Sequence, residues 1–192
     1  MSTREKIVAA GRRALLEQGY EGTGLGPLLA SVAVPKGSFY HFFPSKEAFA
    51  GAVLDAEAGH FRAQRLALFE DASLSPLRRI ERHLAQIAKD TMQEGDVTGC
   101  LYGVLALAAP GLGDDLKGQL AGVFSHWQSD LSALIGQAQE AGEVDPGLDP
   151  AETAAYIIDL YEGAALRARA GDGAAFDRLQ RFALATLRAR AA

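Results

Sequence analysis

Apolar positions recur along this chain at intervals of three and four, and no alternating run exceeds a few residues. Ile7, Ala10, Ala14 and Leu15 form one helical stripe, which predicts a helix from about Ser2 to Gln18 with Gly19 as its stop. Leu25, Leu28 and Leu29 mark a short second helix, with Thr23 placed to cap it. Pro35, with its fixed φ and missing N–H, suits the first turn of a third helix that runs to about Phe42. Ser45 then caps a longer helix with Phe49, Ala52, Val53 and Ala56 on one face. Ser75-Pro76 opens another, to about Glu94, and Gly95 to Gly99 reads as a loop. A short apolar helix spans Cys100 to Ala108, and a long one starts at Asp114 and ends near Gly142. Asp149-Pro150-Ala151-Glu152 is a capping-box variant that opens a helix to about Ala170, and the last runs from Ala174 to about Arg188. β-branched residues are sparse, so the expected fold is all-α.

Composition changes this picture little. At 192 residues the chain is long enough for one large or two small domains, and 48% hydrophobic with 22% charged residues is ordinary for a folded protein. The longest apolar stretch, Cys100 to Pro110, is about half of the ~20 residues a membrane span needs. With no apolar leader near the start either, no membrane association is expected and the protein is placed in the cytoplasm. One cysteine can form neither an internal disulfide nor a Cys-based zinc site, and no metal or cofactor is expected.

Charge is more informative. The net −5 is uneven: residues 1–50 carry six Lys/Arg against four Asp/Glu, leaving 13 against 20 in the remainder. Three short helices joined by tight turns in this positive segment are the arrangement of a helix-turn-helix unit whose third helix enters the major groove of DNA. Lys36, Gly37 and Ser38 fall in the first turn of that helix, where a lysine reaches a guanine edge or a phosphate and small residues allow close backbone approach. Tyr40 and His41 follow with groups suited to phosphates. Lys46, in the next first turn, is a cation where free backbone N–H groups attract anions, a conflict that a DNA phosphate resolves. Lys36 and Lys46 also fit as ordinary solvated residues. Phe39, Phe42 and Phe43 are assigned mainly to packing, because a small three-helix unit needs large side chains to close.

The run Gly19-Tyr20-Glu21-Gly22-Thr23, then Val32 to Phe43, then Ser45-Lys46-Glu47 resembles the DNA-binding domain of the TetR family of regulators. The motif core stands intact as Gly37-Ser38-Phe39-Tyr40-His41-Phe42. The resemblance implies an all-α homodimer: a three-helix DNA-binding domain over residues 1–46, with Thr23, Lys36, Gly37, Ser38, Tyr40, His41 and Lys46 on DNA, and a ligand-binding and dimerisation domain over residues 47–192. It also implies repression of a palindromic operator and release by a small-molecule effector. Pro35 replaces the usual serine cap, a variant of the branch similar to acrylate- and electrophile-responsive repressors. Gly24-Leu25-Gly26-Pro27 lacks the basic residue that often touches DNA there, which shifts affinity onto Lys36, Tyr40 and Lys46.

Cys100, Tyr102, Phe124, Trp127, Tyr161 and Glu162 are the candidate ligand-binding residues, with His83, His126 and Arg167 as further polar partners, since a pocket needs an apolar wall and a few placed polar groups. Aromatic residues at helical spacing also read simply as core. Gly99-Cys100-Leu101-x-Gly103 is similar to a stretch of the electrophile-sensing branch in which the cysteine is the sensor. A helix start favours the reactive thiolate, whereas a buried cysteine is inert filler; both readings stay open. The penultimate helix, apolar round most of its circumference, fits a dimer interface. A small enzyme using Cys100 as nucleophile and His83 or His126 as base is disfavoured, because no spacing supplies a base and a group to orient it. A helix-turn-helix protein that senses no ligand leaves the long acidic C-terminal region unexplained.

Overall fold

A capping box starts the chain's first helix: the Ser2 hydroxyl accepts from the Glu5 amide, and the Glu5 carboxylate accepts from the Ser2 amide at 2.7 Å. In this computed structural model, which describes residues 1–93, 96–97 and 99–188, α1 runs Thr3–Gly22. Gly19 interrupts it at φ 72°, the stop expected from its sequence, and a last turn continues beyond. Thr23 does not cap α2 (Leu25–Ser31). Gly24 holds that position, and the buried Thr23 hydroxyl donates back to the Gly19 carbonyl at 2.7 Å, closing the end of α1 instead. Pro35 is the residue before α3 (Lys36–Phe42).

Ser45 caps α4 (Lys46–Phe69) through the Ala48 amide. Ser75 and Pro76 open α5 (Pro76–Thr91), which ends short of Glu94 because Met92–Gln93 (β1) turns into an antiparallel pair with Asp96–Val97 (β2). The expected Gly95–Gly99 loop lies partly outside the described residues. Cys100 precedes α6 (Leu101–Ala108), a 3-10 turn covers Ala109–Gly111, and α7 spans Asp114–Glu140. The Asp149 carboxylate accepts from the Glu152 amide at 2.8 Å to start α8 (Pro150–Arg169), and α9 is Ala175–Leu187.

The elements gather into two compact units. The first holds Met1–Phe61 with Cys100–Val123, so α6 and the start of α7 pack with the helix-turn-helix. Its interior is Ile7, Leu15, Leu28, Phe39, Phe43, Phe49 and Leu54, with the rings of Phe39 and Phe43 each edge-on to Phe49 at 5.5–5.6 Å and tilted against each other at 5.3 Å. The second holds Arg62–Gly99 and the chain from Phe124 onward, built round Ile80, Leu84, Leu131, Ile135, Ile157, Ala183 and Leu187. Phe176, Leu179, Ala183 and Leu187, at helical spacing, lie on the face that α9 buries.

Between α2 and α3 the chain turns through Val32-Ala33-Val34, and Ala33 adopts φ 54°, a left-handed conformation costing a non-glycine residue about 1 kcal/mol. Ala33→Gly relieves that strain and adds some unfolded-state entropy. The net expectation is a gain of about 0.5 kcal/mol, read from urea midpoints. An unchanged or lower midpoint contradicts it.

Candidate nucleic-acid interface and effector core

The face of α3 turned to solvent carries Lys36, Gly37, Tyr40 and His41, with Tyr40 51% exposed, while Phe39 on the opposite side is fully buried. Ser38 is half-buried, and its amide is taken by the Pro35 carbonyl at 2.9 Å. Lys36, Tyr40 and His41 therefore stand together on a helix that the Phe39–Phe43–Phe49 cluster fixes from below. Thr23 stands apart from them, buried with its hydroxyl committed to Gly19. Lys46 reaches back across the end of α1: its ammonium lies 4.7 Å from the Tyr20 ring and donates to the Glu21 carbonyl at 3.3 Å. An ammonium has three donors, and this contact uses one.

In the second unit the predicted pocket residues Trp127 and Tyr161 meet edge to face at 5.3 Å, and Tyr161 lies 6.3 Å from Phe176. Both carry polar links. Trp127 Nε1 donates to His83 Nε2 at 3.0 Å, and the Tyr161 and Thr91 hydroxyls share a hydrogen bond of 2.8 Å. Burial, reinforced by the nearby Arg65 guanidinium, pushes the His83 imidazole down to about 3, so the ring is neutral and its Nε2 lone pair is occupied. That combination disqualifies it as a general base near neutral pH. Arg65 is itself buried, 5.9 Å above the Trp127 ring, and donates to Asp130 at 2.8 Å; Arg62 forks onto the same carboxylate at 3.2 and 3.3 Å. Burial acts to raise the Asp130 carboxyl, but the hydrogen bonds from Arg62 and Arg65 outweigh it and hold the group below its usual range.

Phe124 and Glu162 are half-buried in the second unit, whereas Cys100 and the buried Tyr102 belong to the first. His126 is exposed, and Arg167 pairs with Asp172 at 2.8 Å. Among the described residues, no three His, Cys, Asp or Glu are grouped to hold a metal, and no helix is long and apolar enough to cross a membrane.

Two family profiles match the chain: bacterial regulatory proteins of the tetR family over residues 7–53, and the tetracyclin repressor-like C-terminal domain over residues 76–183. The chain belongs to the TetR family. It is a helix-turn-helix transcriptional regulator and not an enzyme. Among its relatives, the HTH-type transcriptional repressor DhaR of Mycobacterium sp. strain GP1 is 34% identical over 164 residues, covering 85% of this chain and 81% of DhaR. The transcriptional regulator AcuR of Cereibacter sphaeroides is 34% identical over 86% of this chain and 75% of its own. The crystal structure of Escherichia coli NemR in its reduced form superposes with a TM-score of 0.90 at 27% identity, covering 99% of each chain.

In this TetR-family chain, sequence reading missed Arg62, Arg65, Asp130 and Thr91. Each lies far along the chain from the group it serves, and a charged residue on an amphipathic helix reads as solvated until the partner helix is in place.

Proposed function

We propose that this protein is a repressor that binds an inverted-repeat operator as a homodimer and lets go when it captures a small molecule or an electrophile. The observation that carries this reading is the solvent-facing group Lys36, Gly37, Tyr40 and His41 on a third helix braced from behind by buried phenylalanines. Residues 1–46 are the DNA-reading part in this proposal, with Ser38 and Lys46 beside the four and Thr23 holding the end of α1 behind them. Residues 47–192 carry sensing and dimerisation, and the protein acts in the cytoplasm. DhaR is named a repressor, which favours that sign of regulation. The family assembles as dimers, and Tyr156, Leu166 and Phe182 offer a second copy exposed apolar surface on α8 and α9. Two recognition helices about 34–36 Å apart then enter successive major grooves. In the second unit the effector is held by Trp127 and Tyr161 with Phe124 and Glu162; in the first, Cys100 and Tyr102 at the start of α6 are the electrophile-responsive residues.

A mobility shift with the DNA upstream of the protein's own gene tests the reading. Wild type binds as a dimer, and Lys36→Ala weakens binding, lowering the log–log salt slope by about one if the lysine neutralises one phosphate. A maleimide releases wild type but not Cys100→Ser. No shift with wild type overturns the repressor reading; equal release of both proteins removes Cys100 from it and leaves a noncovalent effector.

A further inference from the structure

The first turn of α4 directly follows the DNA-reading helix, and its two opening residues reach in different directions. Lys46 goes to Tyr20 and the Glu21 carbonyl at the end of α1. Glu47 goes to α7: its Oε1 accepts the Gly113 amide at 2.8 Å, immediately before that 27-residue helix begins. A carboxylate placed there meets unsatisfied N–H groups and the positive end of the helix dipole. Asp114 and Asp115 already occupy that turn, so Glu47 is held by one directed hydrogen bond against two like charges. Such a contact positions well and releases easily. A glycine is needed opposite it, because a Cβ at Gly113 would lie 2.5 Å from the same Oε1. One turn along α4 the approach is equally close: a Cβ at Gly51 would lie 2.5 Å from the Gln119 side-chain oxygen.

We propose that Glu47 is a positioning residue for operator binding, a breakable latch that fixes the start of α4 on the start of α7. Displacing α7 pulls on Glu47 and so on the helix that carries Lys36 and Tyr40. α7 also bears Phe124 and Trp127 farther along, which gives an effector a continuous element on which to act. The latch rests on the repressor reading for its role, not for its existence.

Glu47→Ala removes the acceptor. Gly113→Ala removes it by a different route, since the added methyl displaces only the far end of a flexible side chain. Each single variant is expected to bind the upstream DNA three- to tenfold more weakly with its urea midpoint little changed, and the double variant no more weakly than either single, because both break one contact. Additive losses, or a loss confined to Glu47→Ala, overturn the latch, the second outcome marking a simple charge effect on nearby phosphates. Amide exchange at Gly113 reports on the contact without DNA and is expected to quicken about tenfold in Glu47→Ala. Unchanged exchange overturns the latch even if the repressor reading holds. Quickened exchange in a protein that binds no upstream DNA upholds the contact and overturns its role at an operator.

Discussion

Taking the protein from pH 7.5 to pH 4.5 is expected to lower its folding stability by roughly 2.5 kcal/mol through a single imidazole, His83. The unfolded chain protonates this residue near the ordinary histidine value, about 6.5, whereas burial and the Arg65 charge hold it to about 3 in the fold. Above 6.5 neither state binds the proton and stability is complete. Below it the unfolded state takes up a proton that the folded state refuses, and stability falls by about 1.4 kcal/mol per pH unit until the folded value is reached. The depressed carboxyls of Asp71, Asp130 and Asp172 act on stability chiefly at lower pH, so the histidine dominates this window. His83→Gln keeps an oxygen to accept from Trp127 Nε1 and removes the titration. Urea midpoints at fixed protein concentration should slope steeply for wild type and stay nearly flat for the variant. Equal slopes would show that His83 is solvated. A domain of ordinary stability has only about 5–15 kcal/mol in total, so this one ring sets much of its acid limit.

The helices were legible because their signals are local. Ser2, Ser45 and Asp149 bond the amides that their positions imply, Gly19 and Gly142 take positive φ at helix ends, and the buried face of α9 is the one its spacing predicts. The exposed set on α3 was legible too, since Phe39 had to be core and that fixes where Lys36 and Tyr40 point. Thr23 misled for a physical reason: a threonine hydroxyl caps the following helix or closes the preceding one with equal ease, and here the Gly19 carbonyl wins. The early end of α5 escaped because residues 92–97 carry no alternating pattern, and the pair β1–β2 is too short to leave one. Least legible were the contacts between distant helices. Trp127 and Tyr161 stood out as aromatic candidates and meet in the fold, but that Trp127 would spend its N–H on His83, or Glu47 its carboxylate on Gly113, depends on helix packing that no spacing encodes.

Gly11 is a position where packing reverses the usual effect of a substitution. In a helix interior, alanine for glycine ordinarily stabilises by roughly 0.5–1 kcal/mol, because glycine has more backbone freedom to lose. Gly11 lies on the buried face of α1, where a Cβ would run into the Phe49 ring and approach Val53 to 2.9 Å. Neither neighbour can yield: both are buried, and Phe49 is held edge-on by Phe39 and Phe43. Overpacking of such a site costs about 1–3 kcal/mol, occasionally more. Gly11→Ala is therefore expected to destabilise by about 0.5–2 kcal/mol net, the propensity gain offsetting part of the overpacking cost. Its effect should also reach DNA, since Phe49 is part of the cluster that braces α3. Gly118→Ala in α7 is the matched control, a helical glycine whose added Cβ meets nothing within 4 Å. It should gain the ordinary fraction of a kcal/mol. Urea midpoints moving in opposite directions for the two variants are the expected result, and a Gly11→Ala protein as stable as wild type would mean that α1 and α4 do not meet as closely as this glycine requires.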